Sequence, residues 1–134
     1  MRISQKKIIL FIILFLLLVG LILGAVYLKN VADYKQAVKK TTFDEINVAD
    51  ISDGIYIGEY DVNFIYAKVE VTVENGKIVS INILKHRHER GKAAEAIIDK
   101  IIDEQKIDVD AVSGATNSST VIKKAVENAL KGEQ

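Results

Sequence analysis

An uninterrupted apolar run from Ile8 to Leu28 constrains this chain more than any other feature. It holds no charged residue, and nearly every side chain in it is aliphatic or Phe. At ~1.5 Å rise per residue, a helix over the run crosses a hydrocarbon core of about 30 Å. Gly20 and Gly24 are compatible with that, because glycine is common in membrane helices. The rival is a cleaved secretion signal, whose apolar part usually covers ~7–15 residues and ends at an A-x-A-like site. Ala25-Val26-Tyr27 matches such a site poorly, and the absence of cysteine excludes a lipoprotein anchor. The run therefore reads as an uncleaved transmembrane helix, a single-pass anchor. Val31, Tyr34 and Val38 keep a helical spacing, so the helix extends to about Lys40, where Thr41 and Thr42 end it.

Charge alone does not orient the span. Arg2, Lys6 and Lys7 precede it, but Lys29, Lys35, Lys39 and Lys40 follow it. A basic tail over residues 1–7 before a first span reads as cytoplasmic, which places the rest of the chain on the extracytoplasmic side. All eighteen Asp and Glu lie after the span, together with all but three of the eighteen Lys and Arg, so that part is mildly acidic. Such a balance offers no footprint for nucleic acid. Without cysteine there are no disulfides, iron–sulfur clusters or thiolate-held metals. A redox role would have to come from an added organic cofactor.

Residues 41–52 read as a linker and residues 53–131 as the domain. Asp53-Gly54 is a turn signal before a short strand at Ile55–Glu59. Ile65, Ala67, Val69, Val71 and Val73 then alternate with polar residues, as do Val79, Ile81 and Ile83. Both runs have the period of half-buried strands. A two-residue Asn75-Gly76 loop would set Val71 against Ser80 and split the apolar faces. A three-residue loop, Glu74-Asn75-Gly76, pairs Val71 with Val79, Val69 with Ile81 and Ala67 with Ile83, and is expected with Gly76 in the left-handed region. From Gly91 the period becomes helical, with Ala94, Ile97, Ile98, Ile101 and Ile102 on one face. A short strand through Val109 and a second helix starting around Ser118, with Val121, Ile122, Ala125, Val126 and Ala129 as its stripe, complete the order. The expected class is α+β: an N-terminal transmembrane helix followed by a small antiparallel sheet packed against two helices.

Between Val109 and the last helix stands Asp110-Ala111-Val112-Ser113-Gly114-Ala115-Thr116. A small-residue turn opening a helix can receive a phosphate, since the first N–H groups and the dipole end favour an anion. The plainer role for such residues is a turn with Thr116, Asn117 or Ser118 as N-cap. The run resembles the flavinylation signal of the bacterial FMN-binding domain family, Asp-x-x-Ser/Thr-Gly-Ala-Thr/Ser, and matches it at every position. Asp53-Gly54-x-Tyr56 and Val73-x-x-Gly76-Lys77-Ile78 are also like that family. The resemblance implies FMN, derived from FAD, bound through a phosphoester to Thr116 by a separate Mg²⁺-dependent FAD:protein FMN transferase. It further implies that Asp110, Ser113, Gly114, Ala115 and Asn117 belong to the cofactor-binding turn. The segment from Lys85 to Lys92, with Arg90-Gly91, would approach the flavin, and Tyr56, Tyr60, Phe64 and Tyr66 are candidates to stack on it. The corresponding function is a membrane-anchored flavoprotein in electron transport, with no catalytic residues of its own. Its partner would be a quinone- or ferredoxin-linked oxidoreductase in the membrane. The alternative is a non-redox, membrane-anchored assembly module that keeps the fold and binds FMN weakly or not at all.

His86-Arg87-His88 invites a metal reading, but two imidazoles need a third ligand such as Glu89, and strand-end histidines are usually solvated. No metal site is expected. The order of the residues displays no Ser/His/Asp arrangement of a hydrolase.

Overall fold

The computed structural model describes residues 4–87 and 92–132. Helix α1 (Gln5–Lys40) is followed by a 3-10 turn (Val48–Asp50), then β1 (Gly54–Asp61), β2 (Tyr66–Glu74) and β3 (Lys77–Arg87). A second 3-10 turn (Lys92–Ala96), α2 (Ile97–Glu104) and α3 (Thr116–Lys131) complete the order. The chain divides into two units, at Asp33/Tyr34. The first is the apolar part of α1, long and apolar enough to cross a membrane, with a mean hydropathy of 3.3 over its 18-residue window. None of that window is buried within the protein, as suits a membrane span or a signal anchor.

The second unit is the α+β domain. Its antiparallel sheet has the order β1-β2-β3, with α3 packed on β1 and β2, and α2 against β3. Ala67, Val69, Val71 and Val73 are fully buried on the helix-facing side, as their alternation requires. The end of α1 contributes Tyr34, Ala37 and Val38 to the same core. The joining segment also lies against it, through buried Val48 and partly buried Phe43, Ile46 and Ile51.

The hairpin differs from the sequence expectation. Glu74 faces Lys77 across a two-residue Asn75-Gly76 loop, and Val73 faces Ile78. Both loop residues have positive φ, 53° and 73°, the combination of a type I′ turn. A bulge then follows, so that Thr72 faces Ser80, Val71 faces Ile81 and Val69 faces Ile83. A second irregularity beside Lys68 brings Ala67 opposite His86. The expected pairs of Val71 with Val79, Val69 with Ile81 and Ala67 with Ile83 are therefore wrong. Regular pairing after a two-residue loop would indeed split the faces. The bulge removes that conflict by turning Val79 outward, 45% exposed, while Ile78 and Ile81 stay buried.

Gly76 takes the left-handed conformation, and a Cβ there would stand 3.0 Å from the Ala49 Cα. Gly76→Val should cost on the order of 1–2 kcal/mol or more, read as a lower midpoint of thermal unfolding.

No strand forms near Ile107 and Val109 among the described residues. Both side chains are buried, but the Val109 N–H donates to the Ile107 carbonyl at 2.8 Å. A donor engaged in so tight a local turn is not available to a sheet.

Helix α3 is buried nearly all round, and Glu127 within it is fully buried. Its carboxylate accepts from the Asp44 N–H at 3.2 Å and lies 3.1 Å from Lys124 Nζ and 3.7 Å from Lys131 Nζ. Lys131 also reaches Asp44 at 2.6 Å, and that hydrogen bond, with the lysine's charge, holds the Asp44 carboxyl below the usual carboxylate range. Lys124 donates to the Thr42 carbonyl at 2.9 Å. Residues 42–44 are thus strapped to α3 through one buried carboxylate. Glu127→Ala should destabilise the domain by roughly 2–3 kcal/mol. That is less than a wholly buried pair would lose, because both lysines keep access to water. Denaturant titration of the two proteins measures it.

Candidate functional site

The chain leading to the small-residue turn is fixed at several points. Gln105 closes α2 with a positive φ of 54°. Its side-chain amide accepts from the Ile78 N–H at 2.8 Å and donates to the Ile78 carbonyl at 2.8 Å, occupying the edge of β3 as a strand residue would. Beyond it, Ile107 and Val109 are buried, and Lys123 of α3 donates to the Val109 carbonyl at 2.8 Å and pairs with Asp108 at 3.1 Å.

The turn itself is closed by the Ala115 N–H donating to the Val112 carbonyl at 3.0 Å. Gly114 is its third residue, with φ +79°, the value a type II turn demands there. The Val112 N–H donates to Ser119 Oγ at 3.1 Å, so the turn is held from the helix side as well. Buried Ala115 plugs the turn onto the core, while Asp110, Ser113, Gly114 and Thr116 are exposed and Asn117 is half-buried. No atom lies within 4 Å of where a Cβ on Gly114 would be, so the backbone is open to an incoming group.

Helix α3 begins at Thr116, earlier than the expected start around Ser118. Its N-cap is Ala115, and no side chain caps it. The first intrahelical bond runs from the Ser119 N–H to the Ala115 carbonyl at 2.9 Å. The N–H groups of Thr116, Asn117 and Ser118 precede that bond, which leaves them for a partner from outside the helix. None of the three N-cap candidates named from the sequence fills that role. They lie one or more positions inside the helix, where their side chains cannot reach forward to the N2 or N3 amide from the cap position. Among the hydroxyls opening α3, Ser118 and Ser119 are buried, at 3% and 0% exposure, and Thr120 donates back to the Thr116 carbonyl at 3.0 Å. Thr116 is the exposed one.

Beneath this helix start lies His86, its side chain 3% exposed. Its Nε2 is 3.3 Å from Ser118 Oγ and its Nδ1 is 3.4 Å from the Glu95 carboxylate. Sequence reasoning missed this grouping, because 32 positions separate His86 from Ser118 and no local pattern links them. The row Ser118–His86–Glu95 has the order a hydrolase uses. A nucleophile as buried as Ser118 has no access to substrate, however, so the row acts as an internal brace. His88, Glu89, Arg90 and Gly91 lie outside the described residues. Among the described residues no group of three or more His, Asp or Glu is placed to hold a metal.

The aromatic candidates are occupied in packing. Phe64 meets Tyr34 edge-on at 5.3 Å between ring centroids, and the Tyr60 hydroxyl lies 3.0 Å from Thr41 Oγ1. The Tyr56 hydroxyl donates to the Ser52 carbonyl at 2.6 Å. Tyr66 points to the sheet face away from α3, donating to Glu59 beneath Lys85 and Arg87, and that hydrogen bond raises its pKa. A shallow open depression lined by Asp53, Gly54, Thr72 and Asn75 lies at the hairpin end of the sheet, whereas His86 stands opposite Ala67 toward the other end.

Residues 66–131 match the sequence model of a family described as "FMN-binding domain". The match runs from β2 through α3 and includes the whole turn at 110–116, while β1 precedes it. An uncharacterized protein of Treponema pallidum (strain Nichols) is 30% identical over 89 residues. That alignment covers 64% of this chain but 25% of the relative, so the chain corresponds to a quarter of that protein's length.

Proposed function

From the match of residues 66–131 to the FMN-binding domain family, we propose a membrane-anchored flavin electron carrier with FMN phosphoester-linked to Thr116. The observation that carries the reading is the exposed Thr116 hydroxyl at a helix start that has no side-chain cap. The residues suit the phosphate end of FMN. First-turn N–H groups and the helix dipole favour a phosphodiester anion, and the open side of Gly114 leaves the group room to approach. The attached group would supply electron transfer, which no side chain of this cysteine-free chain provides.

The chain's own part is to present and hold. Thr116 Oγ1 attacks the FMN-side phosphorus of FAD in the transferase's Mg²⁺-bound site. The Oγ1–P bond forms, the bridging P–O bond breaks, AMP leaves and the threonine proton passes to a base of the transferase. Asp110 and Ser113, both exposed beside the turn, serve as contacts for that enzyme, and the first-turn amides then hold the phosphate. A quinone- or ferredoxin-linked oxidoreductase would be the partner in that electron transfer. Expression of the full chain with and without the transferase tests the reading. Flavin absorbance that persists after denaturation and precipitation, only with the transferase, is the expected result. Loss of all flavin on denaturation would favour a loosely binding assembly module instead.

The same reading places the domain outside the cytoplasmic membrane, with the N-terminus inside. Protease added to spheroplasts should digest the region beyond Leu28 and leave an N-terminal tag protected. Digestion only after the membrane is opened would reverse this topology.

A further inference from the structure

Ser118 and Ser119 are buried polar residues in the first turn of a helix, an arrangement that destabilises unless both hydroxyls find partners. Ser119 accepts from the Val112 N–H at 3.1 Å. Ser118 meets Nε2 of His86 at 3.3 Å. The imidazole also lies 3.4 Å through Nδ1 from the Glu95 carboxylate, and in the neutral form that donates there Nε2 can accept from the Ser118 hydroxyl. One buried side chain from β3 therefore joins the 3-10 turn at 92–96 to the opening of α3. Ala115 provides no side-chain cap, so the usual brace of a helix start is absent here, and these two internal contacts stand in its place.

We infer that His86 is a positioning residue for the group carried on Thr116, acting through Ser118 to fix the first turn of α3 against β3. Thr116 lies two positions before Ser118 on that turn, so the direction of its hydroxyl follows from where the turn is held. The inference rests on the assignment of Thr116 as flavin carrier, and it concerns how readily that hydroxyl is presented rather than whether it is the acceptor. Glu95 orients the ring, and Ser118 transmits its position.

The test uses the full chain in detergent with the transferase, FAD and Mg²⁺, comparing His86→Leu, His86→Gln and Ser118→Ala. Covalent incorporation is followed by intact mass. In the absence of transferase, hydrogen exchange is followed at the amides of residues 119 and 120, the first that bond within α3. His86→Leu and Ser118→Ala should lower kcat for flavin transfer about tenfold or more with little change in KM for the acceptor chain, as expected when a reacting group is misplaced rather than unbound. Exchange at 119 and 120 should quicken while the amides of residues 122–129 keep their protection. His86→Gln, whose amide can still reach Ser118, should recover much of the rate. Wild-type rates in both His86→Leu and Ser118→Ala would overturn the inference. So would a loss in His86→Leu that is absent in Ser118→Ala and not recovered by Gln, since that pattern marks lost packing alone. Should His86→Leu fail to fold, the Ser118→Ala rate decides. If instead the wild-type chain gains no covalent flavin, the assignment of Thr116 fails, and the exchange data alone report whether His86 fixes the first turn of α3.

Discussion

Gly58→Ala should leave much of the domain unfolded at growth temperature. A Cβ on Gly58 would lie 2.2 Å from the Ala129 nitrogen, 2.3 Å from the Ala125 carbonyl oxygen and 2.6 Å from the Ala129 Cα. All three are backbone atoms of α3, so no rotamer change relieves the clash. The helix would have to lift from β1, and the Asn128 side chain that donates to the Glu59 carbonyl at 2.9 Å would lose its partner. Overpacking usually costs ~1–3 kcal/mol, and contact with rigid backbone belongs at or beyond the upper end. For a domain of this size ~3 kcal/mol lowers the melting temperature by about 12–24 °C. Thermal unfolding followed by circular dichroism checks this. Trimming Ala129 to glycine in the same chain should not rescue it, since the obstructing atoms remain.

The close approach at Gly58 also shows how far the sequence could be read. A glycine inside a strand pattern signals a bulge or a near neighbour, but nothing local says which. The class, the long N-terminal helix and the alternation from Ala67 to Val73 were legible because each rests on a period that one face of an element must obey. The hairpin register was not. The left-handed Gly76 was expected, but register reasoning chose a three-residue loop over the two-residue one, because the bulge that turns Val79 outward depends on what the neighbouring strand and helix can accept. Similarly, Ile107 and Val109 are buried as their apolarity suggests, but burial does not require a strand. At the site, the turn and its exposed threonine were visible as a contiguous motif. The helix start at Thr116 was not, because the usual capping preferences point to Thr116, Asn117 or Ser118, and the cap is a buried alanine. His86 was readable only as a strand-end histidine until the fold brought α3 across it.

Thr116→Ala should abolish covalent flavin completely, whereas Thr116→Ser should retain it. The neighbouring hydroxyls cannot substitute, since Ser118 and Ser119 are buried and Thr120 is engaged with the Thr116 carbonyl. Removing the Thr116 hydroxyl should leave stability nearly unchanged, because the side chain is exposed and the helix is not capped by it. A correctly folded but unmodified variant is therefore expected, which separates loss of the acceptor from loss of the fold.

The most direct measurement is fragment mass mapping of the tryptic peptide that runs from Ile107 to Lys123 after co-expression with the transferase. It contains Ser113, Thr116, Ser118, Ser119 and Thr120 together, so the fragments discriminate among every hydroxyl near the turn. The account requires a gain of one FMN less water on the fragments that include Thr116 and on no other side chain. A flavin on Ser113 or on a later hydroxyl, or an unmodified peptide from protein that holds flavin after denaturation, would contradict it.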